Sequence, residues 1–273
     1  MHPAIPAEKQ EHPMRCPVCG AEATAARCGG CNRPLLPPLQ DGPALRLEDI
    51  EHTYGTGAAA VHALRGTSFA AARGEITVIS GPSGGGKSTA LLTMGLLLRP
   101  TSGTVSVAGE PLHEASEKRR ARVRLLRMGF VFQQFNLLAA LTAEENVLVP
   151  LRYAGVAAEA ARDRARDLLR RLGLERRAVH RPADLSGGEK QRVAVARALA
   201  LGPDIVLADE PTANLDSRAG RQVTEQLAEL ARAQRSAVVV VTHDTRLAPL
   251  ADRVLHLEDG RLNPAPAGRE EDR

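Results

Sequence analysis

Short apolar runs recur along the chain, each long enough for one buried β-strand. They span residues 76–80, 128–132, 205–208, 237–242 and 253–257. Helical patterns separate them, most clearly at 158–172 and 218–234. This alternation predicts a mostly parallel sheet with helices on both faces. Because such sheets bind ligands at the carboxyl ends of their strands, the residues after each run are the first candidates for function.

Composition adds few constraints. The 273 residues are 43% hydrophobic and 25% charged, which is usual for a soluble globular protein with one large domain or a domain plus a small module. Aromatic residues make up only 2%, so the core must consist mainly of Leu, Val, Ile and Ala. The net charge of +4 does not by itself indicate a nucleic-acid binder.

The densest basic run is EKRRARVRLLR, at residues 117–127. We interpret it as a solvated helix face in preference to a nucleic-acid patch. A face beside acidic lipid headgroups is a third alternative that the sequence leaves open. No apolar run reaches the roughly 18 residues of a membrane span, and the first residues lack the apolar region of a signal peptide. We therefore expect a cytoplasmic chain that relies on another polypeptide for any membrane crossing.

Four cysteines lie within sixteen residues near the N-terminus. We expect a disordered tail at 1–12, a cysteine module at 13–36, a Pro-rich linker at 37–43, a long α/β domain at 44–262 and a disordered tail at 263–273.

A glycine-rich segment follows the run 76–80 and begins a helix. It reads GPSGGGKST and matches G-x-x-x-x-G-K-[ST] in the strand–loop–helix context that this phosphate-binding motif requires. Glycines let the backbone N–H groups surround phosphates. We expect Lys87 to reach the β- and γ-phosphates, Ser88 to bind Mg²⁺ and Thr89 to lie near the α-phosphate. The candidate nucleotide-binding residues are Gly81, Pro82, Ser83, Gly84, Gly85, Gly86, Lys87, Ser88 and Thr89.

Polar residues also follow two other runs. Asp209 and Glu210 come after the run 205–208, where a carboxylate commonly holds the Mg²⁺ of a phosphate loop. Glu210 lies where it could polarise a water for attack on the γ-phosphate. His243 follows the run 237–242, and we expect it to contact the γ-phosphate or that water.

A second candidate anion site is LSGGEKQ, at residues 185–191. Ser186, Gly187 and Gly188 precede a predicted helix, where free N–H groups and the helix dipole favour an anion. Ser186 with Glu189 also forms a capping box, which would simply start the helix. The two interpretations are compatible.

Together these motifs resemble the ATP-binding subunit of ATP-binding cassette (ABC) transporters, over residues 44–262. GPSGGGKST resembles the Walker A loop, VFQQ with Gln133 the Q-loop, LSGGEKQ the ABC signature, IVLADEP the Walker B strand, ANLD the D-loop and His243 the switch histidine. Tyr54 resembles the aromatic residue that stacks on adenine.

The resemblance implies a P-loop NTPase fold, with a RecA-like parallel-sheet core, an antiparallel β subdomain and a helical signature subdomain at about 133–186. It also implies that Gln133 and Asp209 help hold Mg²⁺, that Glu210 is the catalytic base and that His243 positions the γ-phosphate. Ser186 and Gly188 would bind the γ-phosphate of ATP seated on a second copy of the chain. We therefore expect a homodimer on ATP binding, working with integral membrane permease subunits at the inner face of the cell membrane, and no nucleic-acid partner.

Residues 128–151 are similar to the branch of exporters that contains lipoprotein-release, macrolide-efflux and cell-division ATPases. Ala139 departs from the Pro that is usual there, and Gly85 from a Ser. ABC ATPases of DNA repair and chromosome maintenance are the alternative. They generally carry a long coiled coil or a large insertion, whereas only 53 positions separate Gln133 from Ser186 here.

The cysteines form the pattern CxxC-x8-CxxC, which can supply four thiolates to one metal. In a cytosolic protein this favours structural Zn²⁺ over disulfides, with iron or a redox role as the alternatives. The resemblance does not cover this module, and we expect it to dock a partner or the membrane subunits. The candidate ligands are Cys16, Cys19, Cys28 and Cys31.

Overall fold

A computed structural model describes residues 16–21, 27–35 and 42–264. Two sheets organise the larger part. The strands are β1 Leu45–Tyr54, β2 Val61–Ala71, β3 Ile76–Ser80, β4 Ser102–Val107, β5 Glu110–Pro111, β6 Met128–Val131, β7 Ile205–Asp209, β8 Ala237–Val241, β9 Arg253–Glu258 and β10 Arg261–Pro264. The helices are α1 Lys87–Met94, α2 Glu117–Arg127, α3 Ala143–Tyr153, α4 Ala158–Arg171, α5 Gly187–Leu199 and α6 Ser217–Ala233.

The larger sheet has six strands in the order β10-β9-β3-β8-β7-β6, and all neighbours are parallel except the β9–β10 pair. Its parallel strands are the five apolar runs, each within one residue of the predicted bounds. The smaller sheet is antiparallel, in the order β2-β1-β4-β5. The predicted P-loop NTPase architecture, with its antiparallel β subdomain, is confirmed.

The parallel strands are buried on both faces, which explains why they read as continuous apolar runs. In β8, Val238 and Val240 face one apolar cluster together with residues of α3, α4, α5 and α6. Val239 and Val241 face a second cluster that contains α1 and the antiparallel sheet. The sheet therefore separates a helical layer from a layer that holds the glycine-rich loop and the β subdomain.

Helix α2 matches the predicted basic segment, but one side of it is buried, so the expected solvated face is wrong there. Arg120 is only 4% exposed and donates to the carbonyls of Leu96 and Leu98. Arg124 also donates to Leu96, and Arg127 pairs with Asp204 at 2.6 Å. These arginines satisfy backbone carbonyls and anchor the helix to the start of β7.

Two expectations about boundaries meet the structure only in part. Strand β10 continues through Pro264 and so includes the first two residues of the expected C-terminal tail, because Asn263 and Pro264 pair with β9. The tail expected at 1–12 and most of the linker lie outside the described residues. Within the part of the chain that the structure describes, no helix is both long and apolar enough to cross a membrane.

Candidate ATP site and cysteine centre

The glycine-rich loop joins β3 to α1 and is packed tightly against its neighbours. A Cβ on Gly81 would lie 2.0 Å from the carbonyl oxygen of Leu257, and one on Gly86 would lie 2.4 Å from that of Ala63. Gly86 caps α1 with a φ of 97°, a conformation that suits glycine. The loop thus leaves no room for side chains at these positions, and its backbone is free to face a ligand.

Lys87 lies across this loop. Its Nζ donates to the carbonyls of Gly81 and Pro82 at 2.8 and 2.9 Å. Ser88 is exposed, while Thr89 is buried in the first turn of α1. The hydroxyl of Tyr54 is 3.4 Å from Oγ1 of Thr89, so the predicted adenine-stacking residue does lie beside the loop. Among the other predicted loop residues, Pro82, Ser83 and Gly84 are exposed, and Gly85 is buried against Leu257.

Asp209 ends β7, which β8 separates from β3, the strand that leads into the loop. Burial raises the pKa of Asp209, the charge of Glu210 raises it further, and the ammonium of Lys87 opposes both effects. These mutual influences show that the three charged groups share one site. A cation placed there would relieve the repulsion between the two carboxylates.

Glu210 has a φ of 44°, uncommon for a residue other than glycine. Its amide donates to the carbonyl of Val241 at 2.9 Å, which ties the end of β7 to the end of β8. Its carboxylate accepts hydrogen bonds from Oγ1 of Thr242 at 2.8 Å and from the amide of His243 at 3.1 Å. Nδ1 of His243 lies 2.8 Å from the same carboxylate.

These contacts orient two groups of unequal exposure. The Glu210 side chain is 15% exposed and that of His243 is 72% exposed. A cleft of about 350 Å³ opens beside them. The arrangement holds a carboxylate and an imidazole at one opening, as proton transfer to or from a bound water requires.

Gln133 follows the edge strand β6, which pairs with β7, so it lies at the flank of the site. It is exposed, and its backbone carbonyl accepts a hydrogen bond from Nδ2 of Asn214 at 2.8 Å. The loop after it is held by Arg197 of α5, which donates to the carbonyls of Phe135 and Asn136.

The second candidate anion site begins α5. The capping box is present: Oγ of Ser186 accepts from the amide of Glu189, and Oε2 of Glu189 accepts from the amide of Ser186 at 2.8 Å. Ser186 is nevertheless exposed. A Cβ on Gly187 would lie 3.3 Å from the carbonyl oxygen of Asn214, and one on Gly188 would lie 3.4 Å from Cβ of Ala219. The signature segment therefore packs beside the ANLD segment and the start of α6.

Sequence reasoning missed three supporting residues. Thr242, the hydroxyl partner of Glu210, was counted only as the end of an apolar run. Asn214 joins the ANLD segment to the loop of Gln133. Asp244 accepts from Oγ1 of Thr212 and is paired with Arg246, which lowers the pKa of Asp244. Only the position of Thr242 directly before His243 could have pointed to it.

Comparison with known proteins identifies the family. The family model described as ABC transporter matches residues 64–213. This chain is an ABC transporter ATP-binding subunit. It is 47% identical over 230 residues to the lipoprotein-releasing system ATP-binding protein LolD of Bordetella pertussis, an alignment that covers 84% of this chain and all of that relative. It is 46% identical to an uncharacterised ABC transporter ATP-binding protein of Thermotoga maritima, over 80% of this chain and 93% of the relative.

Solved structures agree. A dimeric post-hydrolysis state of the ATP-binding cassette MJ0796, bound to ADP and phosphate, is 39% identical and superposes with a TM-score of 0.74, covering 82% of this chain and all of that one. The cbiO1 protein of Clostridium perfringens, part of an ABC transporter complex, is 29% identical with a TM-score of 0.73, over 81% of this chain and 87% of that one. The ABC subunit hydrolyses ATP to power transport by separate membrane subunits, and no match favours the DNA-repair alternative.

The four cysteines form a compact centre. Their Sγ atoms all lie within 4.8 Å of one another, with 3.5 Å between Cys16 and Cys31 and between Cys19 and Cys28. All four are free thiols, and only Cys19 is exposed. Sulfurs bound tetrahedrally to one zinc at about 2.3 Å would lie about 3.8 Å apart, so the spacing fits a metal.

The surroundings of this centre act differently on its thiols, because burial raises the pKa of Cys19 and of Cys31 but that of Cys28 is lowered. Burial acts to raise the pKa of the Cys28 thiol, but the backbone amides of Cys31 and Gly30 outweigh it and lower this pKa to about 7. Burial lowers the pKa of Arg33 and of Arg164, and the negative charge of Cys16 opposes this. Four thiolates exceed the charge of a divalent cation, and these buried guanidinium groups lie where they can offset the remainder.

Proposed function

We propose that each chain contributes two complementary halves to an ATP site that only a head-to-tail dimer completes. The first half comprises the Walker A loop with Asp209, Glu210 and His243. The second half is the signature segment of the other chain, with Ser186, Gly187 and Gly188. The observation that best supports this proposal is that Thr242 and His243 orient Glu210 at the carboxyl ends of β7 and β8.

In this proposal Glu210 accepts the proton of the attacking water. Thr242 and His243 orient its two carboxylate oxygens, and the adjacent cleft admits the water. His243 remains mostly exposed and can turn toward the γ-phosphate. Lys87 donates to two carbonyls of the loop. When ATP binds, Lys87 exchanges these hydrogen bonds for contacts with phosphate oxygens.

Ser88, Gln133 and Asp209 are the residues that would hold the Mg²⁺ of the nucleotide. Asp209 fits this role because it is a partly buried carboxylate at the end of β7, and burial and the charge of Glu210 raise its pKa. The ion would neutralise phosphate charge. Tyr54 would stack on the adenine, since it is 43% exposed and borders Thr89.

The signature segment fits the role of a phosphate clamp because its cap is complete and its hydroxyl is still exposed. The capping box fixes the start of α5 without the help of a ligand. The helix N-terminus then offers its free N–H groups to an anion from outside the chain. The dimeric relative MJ0796 supports this assembly.

A mixing experiment tests the shared site. Ser186→Arg and Glu210→Gln each inactivate a homodimer. In a mixed dimer, one site combines the intact Walker A half of the Ser186→Arg chain with the intact signature of the Glu210→Gln chain. We expect phosphate release from the mixture although each variant alone is inactive. A mixture as inactive as its components would contradict a site shared between chains.

We further propose that the membrane partners resemble those of a lipoprotein-release exporter, as in the LolD relatives. A groove of about 450 Å³ beside the loop of Gln133 supplies a docking surface. It is lined by apolar residues, among which Tyr153 is 81% and Leu97 48% exposed. Tyr153→Asp should abolish co-purification with co-expressed permease subunits of the lipoprotein-release type and leave ATP binding unchanged. Retained co-purification would exclude this groove as the docking surface.

We propose structural Zn²⁺ as the occupant of the cysteine centre. The four-sulfur set, its spacing and its burial leave no open ligand position, which suits a structural role. Elemental analysis of the purified full-length chain should give one zinc per chain. One iron per chain with visible thiolate-to-iron absorption would show that the centre binds iron in place of zinc. A disulfide detected by mass spectrometry would instead indicate a redox role.

A further inference from the structure

The cysteine module is attached to the helical subdomain through backbone groups. The amide of Ala157, the residue that precedes α4, donates to the carbonyl of Cys31 at 2.9 Å. Nδ2 of Asn32 donates to the carbonyl of Gly155 at 3.1 Å. The donor and the acceptor on the cassette side both belong to the turn between α3 and α4. Two hydrogen bonds, made by the consecutive residues Cys31 and Asn32, therefore attach the module to that turn.

The same module is attached to the core on its other side. Arg33 is 7% exposed, and its Nη2 donates to the carbonyl of Leu126 at 3.1 Å, near the junction of α2 and β6. Pro17 lies against Gly202, where a Cβ would come within 2.4 Å of the proline ring. Gly202 belongs to the connection from α5 to β7. The module thus spans from the helical subdomain to the two junctions that lead into the parallel sheet.

Apolar packing continues across this span. Cys16, Cys28 and Cys31 belong to the same buried cluster as the inner faces of α3, α4 and α5. Arg164 of α4 donates to the carbonyls of Leu199 and Ala200 at the end of α5, directly beside the module. The expected role as a module that docks a partner does not account for this burial, because the buried surfaces already face the chain's own cassette.

Little secondary structure holds the module in shape. Among its described residues, the regular pairing is limited to the isolated bridge between Arg27 and Pro34. So few residues cannot bury enough apolar surface to fix their own conformation. A metal bound by four cysteines does so, since its binding free energy becomes folding free energy. Cys31 then couples metal binding to the attachment of the module, because its sulfur is a metal ligand and its carbonyl accepts a hydrogen bond from the amide of Ala157.

We propose that the metal-loaded cysteine module is an internal brace that fixes the turn between α3 and α4 to the α2–β6 and α5–β7 junctions. This inference rests on the proposed metal site. Helices α3, α4 and α5 pack on one another, so a fixed turn also fixes the start of α5, where Ser186 lies. The Walker A loop is on the opposite layer and makes none of these contacts. Metal occupancy therefore controls the placement of the signature segment and leaves ATP binding by the single chain unaffected.

Hydrogen exchange of the full-length chain tests the brace, with the Ala157 amide as its direct reporter. Zinc is quantified first and is then removed with 1,10-phenanthroline. We expect exchange at residues 155–161 to become about tenfold faster, as the loss of one structural hydrogen bond predicts, while α1 keeps its protection. Metal present but removable without any change at residues 155–161 would overturn the brace. A chain that never contains metal would instead overturn the proposed metal site.

Variants that keep all four cysteines provide a second test. Asn32→Gly removes the amide that holds Gly155 and tolerates the φ of 60° at that position. Arg33→Met removes the donor to Leu126 and keeps the apolar stem. We expect both to expose residues 155–161 to faster exchange. Asn32→Gly should retain one metal per chain, whereas Arg33→Met also loses a positive charge beside Cys16 and should bind the metal more weakly.

Gly29→Ser is the matched control. It lies in the same cysteine loop, and a Cβ there meets nothing within 4 Å. It should leave both the metal content and the exchange unchanged. Equal exchange in all three variants and the native chain would overturn the brace even if the metal is present.

Discussion

The ATP site and the cysteine centre differ in how far their polar groups are exposed to solvent. At the ATP site several of the predicted side chains are open to solvent: His243 is 72% exposed, and Ser88 and Ser186 are exposed as well. At the cysteine centre three of the four thiols are buried, and the main-chain carbonyl of one ligand is already engaged by the cassette. In our proposal a second chain completes the first region, whereas the second region is closed. Glu210 lies between the two cases, because its side chain is 15% exposed.

The largest effect is expected when Glu210, the proposed catalytic base, is replaced. Glu210→Gln keeps the volume of the side chain and an oxygen that can accept from Thr242, but it cannot accept a proton. We expect phosphate release to fall by about a thousandfold, within the range for loss of general-base catalysis. The variant should still bind Mg-ATP and should elute as a dimer in size-exclusion chromatography. A strictly monomeric elution at high concentration would contradict the two-chain site.

A change at the signature segment should act almost as strongly without touching the nucleotide of its own chain. Ser186→Arg places a bulky cation where the proposed second γ-phosphate clamp lies, and we expect hydrolysis to fall by about a hundredfold or more. ATP binding by the monomer, measured by fluorescence titration, should be unchanged. Ser186→Ala is the control, because it loses the cap, at about 1 kcal/mol of helix stability, without the bulk. Equal loss of activity in both variants would assign Ser186 a capping role alone.

The hydroxyl that orients Glu210 should have a smaller effect. Thr242→Val removes one of the donors to the carboxylate and preserves the buried shape. We expect kcat to fall by about tenfold, in line with one lost hydrogen bond of 1–1.5 kcal/mol to a charged group, and the KM for ATP to stay constant. A raised KM with an unchanged kcat would mean that Thr242 serves binding and not the orientation of the base.

Metal removal should affect stability more than nucleotide binding. Loss of the brace removes about 2 kcal/mol or more, which for a domain of this size lowers the Tm by about 4–8 °C. The Kd for ATP of the monomer should remain the same in calorimetry. An unchanged Tm after complete metal removal would show that the module is held by packing alone.

The elements that sequence alone could predict are those with a simple burial pattern. The parallel strands are apolar on both faces, so β3 and β8 could be located within one residue. Strand β1 alternates between buried and exposed positions and contains an irregular pairing with β2, so only the family resemblance implied an antiparallel subdomain. The placement of Lys87, Asp209, Glu210 and His243 was predictable because each lies at or shortly after the end of a strand that an apolar run located.

The remaining features depend on contacts that local sequence does not encode. Arg120 reads as a surface residue, yet it is buried because nearby carbonyls need a donor. Asn32 contacts Gly155 across 123 positions, and no pattern in either segment indicates it. The cysteine spacing predicted a metal ligand set but not the surface against which the module packs.

Helix α5 has two fixed ends that belong to different sites. Ser186 caps its beginning, and Arg197, one turn from its end, holds the loop that follows Gln133. The helix has 13 residues, about 20 Å of rigid length. In the proposed dimer, a displacement of that loop by a membrane subunit would be transmitted along α5 to the phosphate of an ATP molecule on the neighbouring chain.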